Sequence, residues 1–213
     1  MMAPKTEALI DDHDYFAAMQ HGSKAERLFH PARLRLIHEM ASWRGRDVLE
    51  LGSGTGCIAI PLAEAGAAVT AVELSAAHLE RLQRYSEQRG VVIEGVQADA
   101  RELPFDDDSF DVVVVASLVH LVPGTDRLLH EAQRVCRPRG RLVIAGPWHR
   151  HPKSNRLLKT ILRGGKAPDA RKHQPFTEDL LKQQLKDSTF LGSKYNYPVG
   201  YFATLFVPDR KGA

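Results

Sequence analysis

The chain has 213 residues, enough for one domain with a sizeable core and a small cap. Its apolar fraction of 43% is ordinary for a globular protein, and a formal net charge of +3 is too small to point to nucleic acid by itself. Two distant cysteines, Cys57 and Cys136, match no metal spacing and fit a reduced, intracellular chain better than a disulfide framework.

The opening "MMAPKTEALIDDHDYF" is acidic and lacks the apolar core of a signal peptide. The longest apolar run, Val112 to Val119, is too short to cross a bilayer. Both features predict a soluble, cytoplasmic protein. Residues 1–46 read as a helical cap, clearest in "AERLFHPARLRLIHEMASW". From Asp47 to Pro147 strands and helices alternate. "DVLEL" (47–51) is the first strand. "IAIPLAEAG" (58–66) follows as a helix, with Pro61 expected in its first turn or at a kink. "AAVTAVEL" (67–74) is the second strand, and "AAHLERLQRYSEQRG" (76–90) an amphipathic helix capped by Ser75. "VVIEGVQAD" (91–99) and "FDVVVVASL" (110–118) are the third and fourth strands, "TDRLLHEAQRVC" (125–136) a helix and "RLVIAGP" (141–147) the fifth strand. Short β-branched runs alternating with helices make parallel βαβ units and an open doubly wound sheet.

Past Pro147 the rhythm changes. Residues 148–176 form a basic insertion. "TEDLLKQQLKDS" (177–188) reads as a helix, and "KYNYPVG" and "YFATLFVP" as two strands of an antiparallel hairpin at one sheet edge. The whole is one α/β domain, with the cap at 1–46, the core at 47–147, the insertion at 148–176 and the closing helix and hairpin at 177–213.

Ligands of an open α/β sheet sit outside the carboxyl ends of the strands, where strand order reverses. There the first strand delivers "GSGTG", with Gly52, Gly54 and Gly56. A dinucleotide fingerprint needs its third glycine at position 57, where Cys57 stands, and no G-K-[ST] follows to make a P-loop. Glu73 ends the second strand, where a carboxylate can accept both hydroxyls of a ribose. Asp99 ends the third, placed to receive a base or an amino group.

With these residues in place the chain resembles class I S-adenosylmethionine-dependent methyltransferases, particularly the small-molecule branch typified by quinone-biosynthesis enzymes. The resemblance is carried by "VLELGSGTG", "AVELS", "ADARELPFDDDSFDVVVV" and "EAQRVCRPRGRLVIAG", over roughly residues 40–147. It implies a Rossmann-like, doubly wound, mostly parallel seven-stranded sheet and S-adenosyl-L-methionine as cofactor. It also implies roles. Gly52, Ser53 and Gly54, in the turn that Gly56 completes, pass close to the methionine part, and Glu50 orients the turn or reaches the amino group through water. Glu73 binds the ribose diol, Leu74 packs on the adenine, Asp99 accepts from the adenine amino group and the Ala100 N–H contacts the ring. Ser117 and Leu118 face the sulfonium, and Tyr15 closes over the cofactor. Each also has a plainer reading, as a solvated strand-end carboxylate, a core leucine or a helix-packing aromatic. Arg139 replaces the first glycine of the family's paired-glycine turn, which leaves Gly140 to carry a positive φ.

Methyl transfer from a sulfonium requires alignment and exclusion of water rather than a metal, and no metal constellation is present in the sequence. A general base is required only for an acceptor that starts protonated. His120, past the fourth strand, and His149, past the fifth, are the candidates, and for each the plainer reading is a turn cap through hydrogen bonds. His149 and His151 form a close pair without a third ligand. From Pro147 to His173 there are eight Lys or Arg residues and one acid, Asp169. Leu157, Leu158, Ile161 and Leu162 recur there at helical spacing, so the segment 150–172 reads either as a solvated face or as an attractor for an anionic acceptor or membrane surface. It offers almost no aromatic platform for bases, which disfavours nucleic acid. The acceptor expected is therefore a small or lipid-like molecule. Methylation of protein or nucleic acid, and cofactor binding without turnover, are the alternatives; no N-P-P-Y-type motif follows the fourth strand, where "ASLVHLVP" stands.

Overall fold

The computed structural model describes residues 14–21, 24–147, 177–196 and 201–209. In chain order these form α1 (Tyr15–His21), α2 (Lys24–His38), β1 (Asp47–Leu51), α3 (Ala59–Glu64), β2 (Ala68–Glu73), α4 (Ala76–Gln88), β3 (Ile93–Gln97), β4 (Phe110–Ala116), α5 (Thr125–Arg134), β5 (Cys136–Pro147), α6 (Glu178–Gln184), β6 (Ser188–Asn196) and β7 (Tyr201–Pro208). The strands make one seven-stranded sheet in the order β3-β2-β1-β4-β5-β7-β6. The first five strands pair in parallel, and β7 runs antiparallel between β5 and β6. This is the doubly wound, mostly parallel Rossmann-like sheet that the alternating pattern predicts, closed by the antiparallel hairpin.

The valine run explains the position of β4. Val112, Val113, Val114 and Val115 are all buried, because strands flank β4 on both edges and helices cover both faces. Residues alternate between two cores. Val112 and Val114 join the core that holds α2 and α3, whereas Val113 and Val115 join the core beneath α5 and α6. At the opposite end of the sheet Arg137 bridges Asp47 and Asp111, at 2.9 and 3.0 Å, and ties the starts of β1 and β4 together.

Several boundaries differ from the sequence reading. Pro61 sits in the first turn of α3, where its missing N–H costs nothing. β3 is shorter than residues 91–99, β4 ends at Ala116, and α6 ends at Gln184 because β6 already starts at Ser188. β5 starts earlier, at Cys136, which pairs with Phe110 before the register shifts. The expectation for Gly140 is corrected. The positive φ, 64°, belongs to Arg139. Gly140 is needed for space instead: a Cβ there would lie 2.7 Å from the Arg137 carbonyl and 2.8 Å from that of Asp111.

Strand order reverses between β1 and β4, so the crevice opens at their carboxyl ends. The basic insertion, with His149 and the segment 150–172, lies outside the described residues. Among the described residues no helix is long and apolar enough to cross a membrane.

Candidate functional site

The glycine turn closes on the neighbouring strand. Gly52, Gly54 and Gly56 have φ of 70°, 54° and 92°, a region that side chains enter only with strain. The Gly52 and Ser53 N–H groups both donate to the Val72 carbonyl, at 2.8 and 3.1 Å. Gly54 N–H donates to Glu73 Oε2 at 2.9 Å, while Glu73 Oε1 accepts from the N–H groups of Leu74 and Ser75 at 2.8 and 3.0 Å. One carboxylate thus joins the turn after β1 to the turn after β2. Leu118 covers Gly52 so closely that a Cβ there would lie 2.8 Å from Leu118 Cδ1.

On the β4 flank lies a sealed polar cluster. Glu50 is buried beside Arg33 of α2, and its Oε2 has no hydrogen-bond partner. Burial pushes the Glu50 carboxyl up to about 8, against the pull of the Arg33 charge and a backbone bond from Ala59. Arg33 donates from Nη2 to Cys57 Sγ and from Nη1 to Ser117 Oγ at 3.2 Å. Ser117 Oγ lies 2.8 Å from the Tyr201 hydroxyl at the start of β7. Burial pushes that phenol up to about 12 and raises the Cys57 thiol as well. Ser117 itself has φ of 57°, so the end of β4 is strained at a residue other than glycine. Ser53, in the turn, is also buried, and its hydroxyl has no partner.

The β3 flank is open by comparison. Asp99 is partly exposed, and both of its oxygens accept from Arg101. The Arg101 side chain holds its carboxyl below the usual range, against a smaller effect of burial. Ala100, next to Asp99, and Leu74, next to Glu73, are half-buried.

The structure therefore brings Glu50, Gly52, Ser53, Gly54, Gly56, Glu73, Ser117 and Leu118 around one turn, with Asp99 at the end of β3. His120 is buried in the turn after β4. Tyr15 starts α1, but its side chain, like His149, lies outside the described residues; its neighbours carry the docking instead. Phe16 N–H donates to Thr55 Oγ1 at 2.8 Å, and the Tyr85 hydroxyl donates to Asp14 Oδ2 at 2.6 Å. The Phe16 and Tyr85 rings stack at 4.7 Å. The sequence reading gave no site role to Arg33, Cys57 or Tyr201, nor to this latch. Helical spacing holds a signal for Arg33: it lies three residues after His30, three before Leu36 and four before Ile37, all buried, on the apolar stripe of α2.

A family model described as a methyltransferase domain matches residues 49–144. Over that stretch the chain is similar to methyltransferase domains. It is 42% identical over 122 residues to a phosphatidylethanolamine N-methyltransferase of Cereibacter sphaeroides, a match covering 56% of this chain and 59% of that protein. It is 38% identical over 121 residues to a demethylmenaquinone methyltransferase of Clavibacter sepedonicus, covering 56% of this chain and 47% of the relative. The chain thus spans about half the length of these curated relatives. The crystal structure of a SAM-dependent methyltransferase from Aquifex aeolicus superposes with a TM-score of 0.66 at 19% identity, over 87% of this chain and 97% of that one, and shows the shared fold.

The residues present fit S-adenosylmethionine. The turn keeps its backbone bare, Glu50 Oε2 and Ser53 Oγ are buried acceptors without partners, Glu73 ends β2 and Asp99 follows β3 by two residues.

Proposed function

We propose that the protein transfers a methyl group from S-adenosylmethionine to a small, lipid-like acceptor. The observation that carries this reading is the turn around Glu50, Gly52, Ser53 and Glu73, where buried unpartnered acceptors adjoin a backbone shaped by positive φ. Gly52, Ser53 and Gly54, with Gly56 shaping the turn, flank the methionine part, and Glu50 receives its ammonium. Glu73 keeps the turn closed through Gly54 and turns its remaining lone pairs to the ribose hydroxyls. Leu74 and the Ala100 N–H border the adenine, and Asp99 accepts from its amino group. Ser117 and Leu118 border the reacting carbon, and Tyr15 covers the site as α1 docks. The cofactor supplies an already activated methyl group. The chain has to align the acceptor with it in line and keep water out. For an acceptor that starts protonated, His120 or His149 takes up the proton; an amine needs no such residue.

The lipid-like acceptor rests on two supports. Relatives at 42% and 38% identity are named for phosphatidylethanolamine and demethylmenaquinone. The segment 150–172 adds a run of Lys and Arg suited to an anionic acceptor or membrane surface.

The test is transfer of a labelled methyl group to phosphatidylethanolamine in vesicles containing anionic lipid, and separately to a demethylated quinol. Wild-type protein is expected to label at least one. Gly54→Val, which fills the turn, is expected to abolish both binding and labelling. Labelling of vesicles is expected to weaken as salt shortens the Debye length from about 10 Å at 0.1 M to about 3 Å at 1 M. Labelling of a protein or nucleic acid instead would move the acceptor to the alternative class, and cofactor binding without any transfer would make the protein a sensor.

A further inference from the structure

Resting on that cofactor reading, we infer that Arg101 is the positioning residue for Asp99, and that it sets how strictly the site demands an adenine amino group. Asp99 does not stand alone at the end of β3. Its Oδ1 accepts from the Arg101 backbone N–H and from Nε, both at 2.9 Å, and its Oδ2 accepts from Nη2 at 2.6 Å and from Nε at 3.2 Å. This is a forked guanidinium–carboxylate pair closed over a two-residue turn, so the carboxyl group has lost its freedom to rotate. The Asp99 side chain is still 32% exposed, which leaves room on its oxygens for another donor.

The same guanidinium reaches a second loop. Arg101 Nη1 donates to the Pro123 carbonyl at 3.2 Å, one residue before Gly124 caps α5. Arg101 therefore joins the turn after β3 to the turn after β4, the two loops that border the adenine side of the crevice. It also lines an open cleft of about 500 Å³ with Arg127 and His130, so a shorter side chain would open Asp99 to solvent from that direction. Arg127 adds a further positive charge facing Asp99. A carboxylate held in one orientation accepts from a C6 amino group. It opposes a C6 carbonyl, which would set acceptor against acceptor. A carboxylate free to rotate and hydrate discriminates less.

The test is calorimetric titration of the full chain with S-adenosylhomocysteine and with S-inosylhomocysteine. Wild type is expected to prefer the adenosyl ligand. Arg101→Gln is expected to shrink that preference about tenfold, and Arg101→Lys nearly as much, because a single ammonium does not reproduce the fork. Asp99→Asn is expected to remove the preference, and adding Arg101→Gln to Asp99→Asn is expected to change the ratio no further. A purely structural role would weaken both ligands equally and leave the ratio alone. Should Arg101→Gln unfold, Arg101→Lys, which keeps the charge, carries the same comparison. A ratio unchanged by either Arg101 variant overturns the inference and leaves the cofactor reading standing, as does an equal loss in the Asp99→Asn background. A wild-type protein that binds neither ligand overturns the cofactor reading and this inference with it.

Discussion

The two flanks of the glycine turn solve the same problem, holding charge at the ends of parallel strands, in opposite ways. On the β2–β3 side, Glu73 and Asp99 are partly exposed and surrounded by donors: three backbone N–H groups for one, a guanidinium fork for the other. On the β1–β4 side, Glu50, Arg33, Cys57 and Tyr201 are sealed from water, and the Glu50 carboxyl is pushed up to about 8 by burial. Donors hold the oxygens of the first pair in place, and the Arg101 side chain keeps the Asp99 carboxyl below its usual range. Burial makes charge expensive in the second group, so its stability depends on mutual satisfaction. The open flank should therefore answer mutation in ligand preference, and the sealed flank in folding.

Arg33 offers the widest separation. Truncating it leaves a cavity and strips donors from Ser117 and Cys57. Arg33→Ala is expected to cost about 3–5 kcal/mol of unfolding free energy, and Arg33→Met, which restores volume without charge, to recover most of it. Arg101→Gln, at a partly exposed pair, is expected to stay within about 1 kcal/mol of wild type. Urea unfolding at neutral pH checks all three. Equal losses at Arg33 and Arg101 would erase the distinction between the flanks.

Glu50 sharpens the comparison through pH. Its folded value, about 8, lies above the ordinary carboxyl value of 4.5, so between those limits the folded chain holds a proton that the unfolded chain has released. The stabilisation is complete below pH 4.5 and is lost as pH rises through about 8. In that window this one group should lower stability by up to about 1.4 kcal/mol per pH unit. Glu50→Gln, which mimics the protonated form, is expected to flatten the slope. A slope identical in wild type and Glu50→Gln, read from unfolding curves between pH 5 and 8, would mean that Glu50 is ionised when buried.

How far the sequence led differs between the flanks for the same reason. Glu73 ends and Asp99 follows strands announced by short β-branched stretches, so the open flank was legible from Val69–Val72 and Val91–Ile93 onward. Glu50 could be seen too, because it lies inside the strand before the glycines. Its partners could not be. Arg33 comes 17 residues earlier on another element and Tyr201 far later, and only folding brings them together. Nor does any pattern of residue types require positive φ at Ser117 or Arg139, since that follows from how strand ends meet their neighbours. Gly140 shows the converse: the glycine was legible, but its purpose is space between two carbonyls rather than backbone freedom.

Between the flanks, α1 docks on the turn, and its latch is the smallest effect to measure. Burial opposes ionisation of Asp14, yet hydrogen bonds from Tyr85, Ala17 and Thr55 hold its carboxyl below the usual range. The Tyr85 hydroxyl accounts for one of these at 2.6 Å, while ring stacking against Phe16 survives its removal. Tyr85→Phe should therefore loosen α1 without touching either flank. A hydrogen bond to a charged group is worth about 1.5–3 kcal/mol when buried, and partial exposure here brings the expected cost nearer 1 kcal/mol. Because the described contacts to Thr55 and Tyr85 run through Phe16 and Asp14, that cost should appear as local opening rather than global unfolding. Amide exchange at Phe16 and Ala17 is expected to speed up about fivefold, with the urea midpoint nearly unchanged. If the exchange rates stay put while the midpoint falls, α1 is part of the cooperative core and not a separately latched cap.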